Sequence, residues 1–306
     1  VAYYIRNPFA IFNNFYLNTN YWMYWNFSGK LLSFHTNVNF NTQFKNRWRM
    51  NGNFNRTEKS TDVTMLRGGP SFIRPGEFGF NLNVSSDQSK KVFFNIGSYR
   101  GSNDTRSDII RAYWASINLR PMNSLTISVS PEYQWENNQL QYINTSGSDA
   151  DPKYIFGQLD MTMCDVVFRV NYTINPELSI EYYGQPFLSA GRYTNINKIT
   201  NPVANKFDDR YRIFTPEEIG FDGETNSYKI DENNDGLTDY TFGNPDFNFR
   251  QFRSNLVIRW EYLPGSTLYL VWSQGRTSSD TNGLFSYQTD TKDLFREVPH
   301  NIFLVK

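Results

Sequence analysis

Between Leu32 and Asn55 apolar and polar side chains alternate along most of the stretch. Phe34, Thr36, Val38, Phe40, Thr42 and Phe44 fall on one face, and His35, Asn37, Asn39, Asn41 and Gln43 on the other. Lys45 and Asn46 form a turn, and the alternation resumes. Trp48, Met50, Gly52 and Phe54 share one face; Arg47, Arg49, Asn51, Asn53 and Asn55 share the other. A period of two held this long predicts paired β-strands. A slip of one residue would exchange every apolar for every polar side chain, so the register is fixed. A strand of a soluble sandwich is usually about 5–6 residues long. A strand that crosses a bilayer needs about 9–11 residues at a tilt of about 45°. These strands reach the second length, and their apolar face carries no charge. The pattern predicts a piece of a transmembrane β-barrel, with a long two-sheet soluble β protein as the alternative.

The same alternation places further strands at 1–5, 15–27, 78–84, 91–99, 109–120, 125–135, 165–174, 178–183, 249–262, 267–274 and 301–306. That makes about 12 strands in up-and-down order. Turns at Lys45, Asp87, Pro121, Asn175 and Pro264 are short. Most connections between them are long and polar, including 137–153, the final stretch before 301 and the longest, about 194–248. Ser28-Gly29-Lys30 is the exception. Alternation of short and long connections is the pattern of an outer-membrane barrel with periplasmic turns and extracellular loops. Residues 1–306 are expected to form part of one such domain, with the C-terminus on the periplasmic side.

Composition adjusts this picture rather than setting it. The chain has 306 residues and a net charge of zero, so its surface as a whole does not attract nucleic acid. Mean hydropathy is −0.59, and no apolar run approaches the ~18 residues of a membrane helix. Aromatics reach 17%, with 26 Phe and 20 Tyr, which suits girdles around an apolar band. Cys164 is the only cysteine, so no internal disulfide forms. The sequence begins at Val1 without an initiator methionine or signal peptide and reads as a fragment or a mature region.

Four stretches carry a family resemblance: Leu66-Arg67-Gly68-Gly69-Pro70, Arg169 through Ser179, Tyr183-Gly184-Gln185-Pro186-Phe187, and Asn301 through Lys306. They resemble the C-terminal barrel part of a group of Bacteroidota outer-membrane proteins of uncharacterised function. Those proteins carry an N-terminal domain similar to family-nine carbohydrate-binding modules. The resemblance implies further strands before Val1, a few residues after Lys306 and a glycan-related role. It transfers no catalytic residue.

Several constellations are candidates for chemistry. Asp231, Asn233, Asp235, the carbonyl of Leu237 and Asp239, with Gly236 in the sixth place, follow the first nine positions of an EF-hand-like loop. Such oxygens wrap a hard cation, so calcium is the expected cofactor. The twelfth position is Phe242, so the bidentate carboxylate must come from elsewhere; Asp222, Glu224 and Asp246 are the candidates. The same composition also suits an acidic turn without a metal. His35, Arg47, Arg49, Glu132, Arg169, Glu181, Arg259 and Glu261 are expected to line the lumen, either along a pore or as ion pairs within a filled interior. Tyr193, Phe214, Tyr228 and Tyr240 are loop aromatics that suit sugar stacking or packing within their own loop. No Gly-x-Ser-x-Gly elbow accompanies His35, and a hydrolase would need a Ser or Asp within reach of it.

The expected function is therefore a non-enzymatic passage or binding barrel of the cell envelope, in contact with outer-membrane lipid and taking oligosaccharides. The alternative is an accessory subunit that docks on other outer-membrane proteins in an export or barrel-assembly complex.

Overall fold

The computed structural model describes residues 1–306. In chain order the strands are β1 (Ala2–Ile5), β2 (Phe12–Trp25), β3 (Leu31–Phe44), β4 (Arg49–Thr57), β5 (Ser60–Asp62), β6 (Phe72–Arg74), β7 (Glu77–Ser85), β8 (Val92–Asn103), β9 (Asp108–Met122), β10 (Leu125–Ser148), β11 (Asp151–Asn175) and β12 (Leu178–Ile199). They continue with β13 (Tyr211–Ile213), β14 (Ile219–Asp222), β15 (Ser227–Ile230), β16 (Tyr240–Gly243), β17 (Phe247–Leu263), β18 (Ser266–Asp280) and β19 (His300–Val305). One α-helix, α1 (Tyr287–Arg296), precedes β19. No helix is long and apolar enough to cross a membrane.

A 14-stranded sheet runs β1-β2-β3-β4-β7-β8-β9-β10-β11-β12-β17-β18-β19, with β13 paired to β12. Its strand pairs are antiparallel. β5 pairs with β6, and β14-β15-β16 form a separate small sheet. β1 and β19 are the edges of the large sheet. The register follows the alternation. Val38 pairs with Phe54 and Phe54 with Phe80, while Asn39 pairs with Asn53 and Asn53 with Asn81. Paired residues share a face, so one face is apolar and the other polar.

The connections at 45–48, 86–91, 123–124, 176–177 and 264–265 lie at one end of the sheet, and those at 58–76, 104–107, 200–246 and 281–299 at the other. The three long connections, 58–76, 200–246 and 281–299, thus gather at one end, where 26–30, 104–107 and 149–150 are short. Three expectations change there. The stretch 137–153 is not a loop, because β10 and β11 run on as one ladder to Ser148↔Asp151, with bulges beyond Asn138. The stretch 194–248 is not one irregular loop: β12 continues to Ile199, and the short strands β13 to β16 follow. The final polar connection holds α1. At the opposite end, Arg47 lies in the turn rather than in a strand, with φ of +67°, and its guanidinium donates to Ser89 Oγ at 3.3 Å.

The extensions of β10, β11 and β12 carry the buried hydrophobic core. Leu66, Phe72, Leu140, Phe156 and Phe207 form one cluster; Ile155, Ile196, Phe214, Ile230 and Phe242 form another. Adjacent residues Ile155 and Phe156 serve different clusters, so both faces of the extended hairpin are covered. Arg210, 2% exposed, ties the connections 58–76 and 200–246 together: it donates to Ile73 O at 2.8 Å and Ala204 O at 2.9 Å.

Candidate functional site

The polar face is the candidate site, and the strand register brings its members together. His35 pairs with Trp22 and Thr57, Arg49 with Gln43, Glu132 with Asp165, Arg169 with Tyr183, Glu181 with Val257, and Arg259 with Ser179 and Tyr269. Glu261 lies two residues from Arg259 on the same face and pairs with it at 3.0 Å. Seven of the eight expected side chains therefore share one face, and Arg47 sits at its rim in the turn.

This face has two chemistries. Along β2, β3, β4 and β7 it is a ladder of carboxamides. Asn20 Nδ2 donates to Asn37 Oδ1 at 3.0 Å, Asn39 Nδ2 to the same oxygen at 3.0 Å, and Asn53 Nδ2 to Asn39 Oδ1 at 2.5 Å. An amide both donates and accepts, so such a surface is neutral and still offers hydrogen bonds to water or a polar solute. Along β10, β11, β12 and β17 the face carries charge. Arg169 lies 4.7 Å over the Tyr183 ring, and Gln185 donates to Asp165 at 2.6 Å.

At the long-connection end the polar face closes into a pocket of about 150 Å³, lined by Asn55, Arg74, Glu77, Tyr99, Asp108 and Glu136 among others. Asp108 accepts from Gln139 N at 2.9 Å and from Asn103 Nδ2 at 3.0 Å. Asn103, 1% exposed, also accepts from Ser107 N at 2.9 Å and so shapes the 104–107 turn. Asn55 falls on the polar face by its alternation, but the grouping does not show in the sequence, because the pocket joins β4, β6, β7, β8, β9 and β10.

His35 is held in place on both sides. One ring nitrogen lies 2.9 Å from Thr57 Oγ1 and the other 3.0 Å from Ser33 Oγ, with Trp22 stacked at 6.0 Å. A serine is thus within reach, as a nucleophile–base pair requires. The group behind the histidine is a threonine hydroxyl, which does not stabilise an imidazolium as a carboxylate does.

The acidic loop at 231–239 is wound tightly. Asn234 and Gly236 have φ of +56° and +83°. Asp231 accepts from Asp235 N at 3.2 Å and Gly236 N at 2.8 Å; Asp235 accepts from Leu237 N at 2.8 Å; Asp239 accepts from Glu232 N at 2.8 Å. Asn233 Oδ1 accepts from Asp235 N at 3.0 Å. These bonds take one lone pair of each oxygen and leave others for a cation. No three acidic, histidine or cysteine side chains of the chain already stand as a metal-ligand group. Lys198 and the Tyr240 hydroxyl both bind Glu232, and burial together with that carboxylate pushes the Tyr240 phenol well up.

The loop aromatics serve mainly as core. Phe214 is buried, with Tyr228 and Tyr240 packed against its cluster. Tyr193, Phe214 and Tyr228 also line an open hollow of about 270 Å³.

The family model for a domain of unknown function, DUF5916, matches residues 1–306. The chain belongs to this family. The match covers the large sheet and the long connections at its end alike. No curated protein matches the chain.

Proposed function

We propose that the large sheet is the wall of a transmembrane β-barrel in a bacterial outer membrane, and that the barrel is a non-enzymatic passage or binding barrel. The observation that carries this reading is the distribution of charge on the apolar face. From β2 to β18 its charged side chains include Arg56, Arg100, Arg111, Asp160, Arg192, Arg250, Arg276 and Asp280, each toward the long-connection end of its strand. Below them lies a band without charge that includes Ile96, Ile117 and Phe168, all exposed. Soluble monomers rarely expose an apolar patch of more than a few hundred Å². Six outward positions on β10, Leu125 to Trp135, span roughly 25 Å at a 45° tilt, the height of a barrel's apolar band. Short turns then face the periplasm and the covered end faces outward.

The carboxamide ladder suits passage or holding of neutral, hydrogen-bonding solutes such as oligosaccharides. The glycan link and a Bacteroidota source rest on the family resemblance. A calcium ion on 231–239 belongs to this reading as an ion that orders a surface loop. One observation favours the accessory-subunit alternative: Val203, Ile213, Phe221 and Leu237 are exposed on the covered end, where a partner would dock.

Single-channel recording in a planar bilayer tests the passage reading. Steady ohmic conductance that oligosaccharides block is the expected result; silence from a barrel that has inserted would favour the accessory subunit. The non-enzymatic reading expects Ser33 to resist a fluorophosphonate probe, with labelling no greater than in Ser33→Ala.

A further inference from the structure

The polar residues at the top of the apolar face on β17 and β18 seat α1 against it. Asn248 is fully buried and donates to the Asp290 carboxylate at 2.8 Å and to Leu284 O at 3.0 Å. Arg250, with a side chain 5% exposed, pairs with Asp280 and donates to Asp293 at 3.3 Å. Arg276 donates to Phe295 O at 2.6 Å and Glu297 O at 2.9 Å, meeting the carbonyls at the helix C-terminus. Ser286 caps the other end. Leu294 is fully buried, and the Phe295 ring lies 5.2 Å from that of Phe252. The helix is therefore fixed to the side of the sheet away from the polar face, at the upper margin of the apolar band.

Helix and sheet do not close completely. An apolar groove of about 440 Å³ lies between them, within the ~300–1,000 Å³ of small-molecule sites. Its floor is low at Cys164 and Gly184, small residues among large ones. A Cβ on Gly184 would meet the Tyr182 hydroxyl oxygen at 2.9 Å, so the floor there stays at backbone level. Phe168, Tyr182 and Phe252 form the walls, and Tyr287, Thr291 and Phe295 the roof. Phe168 and Val170 continue from the groove into the band. Tyr287 and Phe295 of its roof are exposed, as are Leu284 and Val298 on either side of the helix in sequence. Lys292 is exposed on the helix flank beyond Thr291 and makes no ion pair, whereas Asp293 is occupied by Arg250 and Arg296.

We propose that this groove takes one acyl chain of a phosphate-bearing bilayer lipid, with Lys292 meeting the phosphate. The proposal rests on the apolar face being in contact with the bilayer. α1 then lies at headgroup depth, its exposed apolar residues toward the hydrocarbon and its lysine toward the charged layer, the arrangement of an interfacial amphipathic helix. A chain held there is shielded on one side by protein and is retained longer than its neighbours.

Native mass spectrometry of the protein in non-ionic detergent, with dioleoylphosphatidylglycerol as the probe, tests this. One lipid retained per chain is expected. Thr291→Trp, which fills the groove from the roof, and Cys164→Phe, which fills it from the floor, are each expected to retain none, with β-type circular dichroism unchanged. Lys292→Gln weakens retention about fivefold, the effect of one basic charge near a lipid headgroup. Dioleoylglycerol, which has no phosphate, is expected to be held about as weakly by the parent as phosphatidylglycerol is by Lys292→Gln. Equal retention by the parent and both groove-filled variants, or none by the parent, overturns the lipid site. An empty groove in a protein that inserts normally into vesicles counts against this site alone. Failure to insert counts against the barrel itself.

Discussion

The large sheet, the wall of the proposed barrel, and the covered end, where β10 to β12 run into the buried clusters, treat their apolar side chains differently. At the covered end the chain folds as water-soluble proteins do: Phe156 and Ile155 are almost completely buried in clusters formed by residues distant in sequence. In the wall the large apolar side chains are exposed. Phe80 is 45% and Ile117 48% accessible, held by backbone ladders and cross-strand neighbours rather than by a core. Hydrogen-bonded ladders alone give little net stability in water, since water competes for the same groups. On the proposed reading the wall has an apolar surrounding, which the covered end does not need. The two regions should therefore answer to different perturbations.

The largest difference is expected from Phe156→Ala. Removing a buried aromatic costs about 3–5 kcal/mol, all of it at the covered end. Limited proteolysis should open 58–76 and 200–246 while the wall stays resistant and embedded. If the wall unravels at the same time, the two regions are one cooperative unit. Next is Ile117→Arg, in the middle of the band. A charge at the bilayer midplane costs roughly 2–4 kcal/mol, so insertion into vesicles should fall, as read by the heat-modifiable gel shift. The same substitution at Asn118, one residue on but facing the other way, should insert as the parent does. Equal loss at both positions would remove the distinction between the faces.

A smaller effect is expected from acid. Arg212 holds Glu218 below the usual carboxylate range, and Lys229 with two backbone amides pulls Asp222 down to about 2. A carboxyl group lowered by folding stabilises the fold above its unfolded pKa, near 4, and loses that contribution as pH falls toward the folded value. The covered end should thus become protease-sensitive between about pH 4 and pH 2, with the response reduced in Glu218→Gln and reduced further when Asp222→Asn is added, while the wall does not respond. The smallest effect is local. Added Ca²⁺ should slow cleavage within 231–239, and Asp235→Ala should remove that protection without touching the rest of the chain.

The same division explains what could be read from the sequence. In the wall one face meets polar groups and the other does not, so the period of two is clean, and Glu132, Arg169, Glu181, Arg259 and Glu261 are assigned to one face from the pattern alone. Past Asn138 both faces of β10 and β11 are covered. Leu140, Tyr142, Tyr154 and Phe156 serve one cluster while Ile143 and Ile155 serve the other. Alternation then carries no signal, and strands with bulges resemble polar loops. α1 was hidden by its Thr, Asp and Lys content. Its signal is the spacing of Tyr287, Thr291, Leu294 and Phe295 behind the cap Ser286. The approach of Ser33 and Thr57 to His35, and the pocket around Asp108, depend on side-chain geometry that spacing does not encode.

The membrane-facing assignment is tested most directly by nitroxide side chains placed one at a time at Ala115, Ser116, Ile117 and Asn118 of β9, in lipid-reconstituted protein with Cys164 replaced by serine. Collision with oxygen reports hydrocarbon, and collision with a water-soluble nickel chelate reports solvent. A transmembrane wall requires alternation: oxygen access at 115 and 117, and lower oxygen access with contact from the water side at 116 and 118. Nickel access at all four positions would mean that the apolar face meets water, and the barrel reading would be wrong.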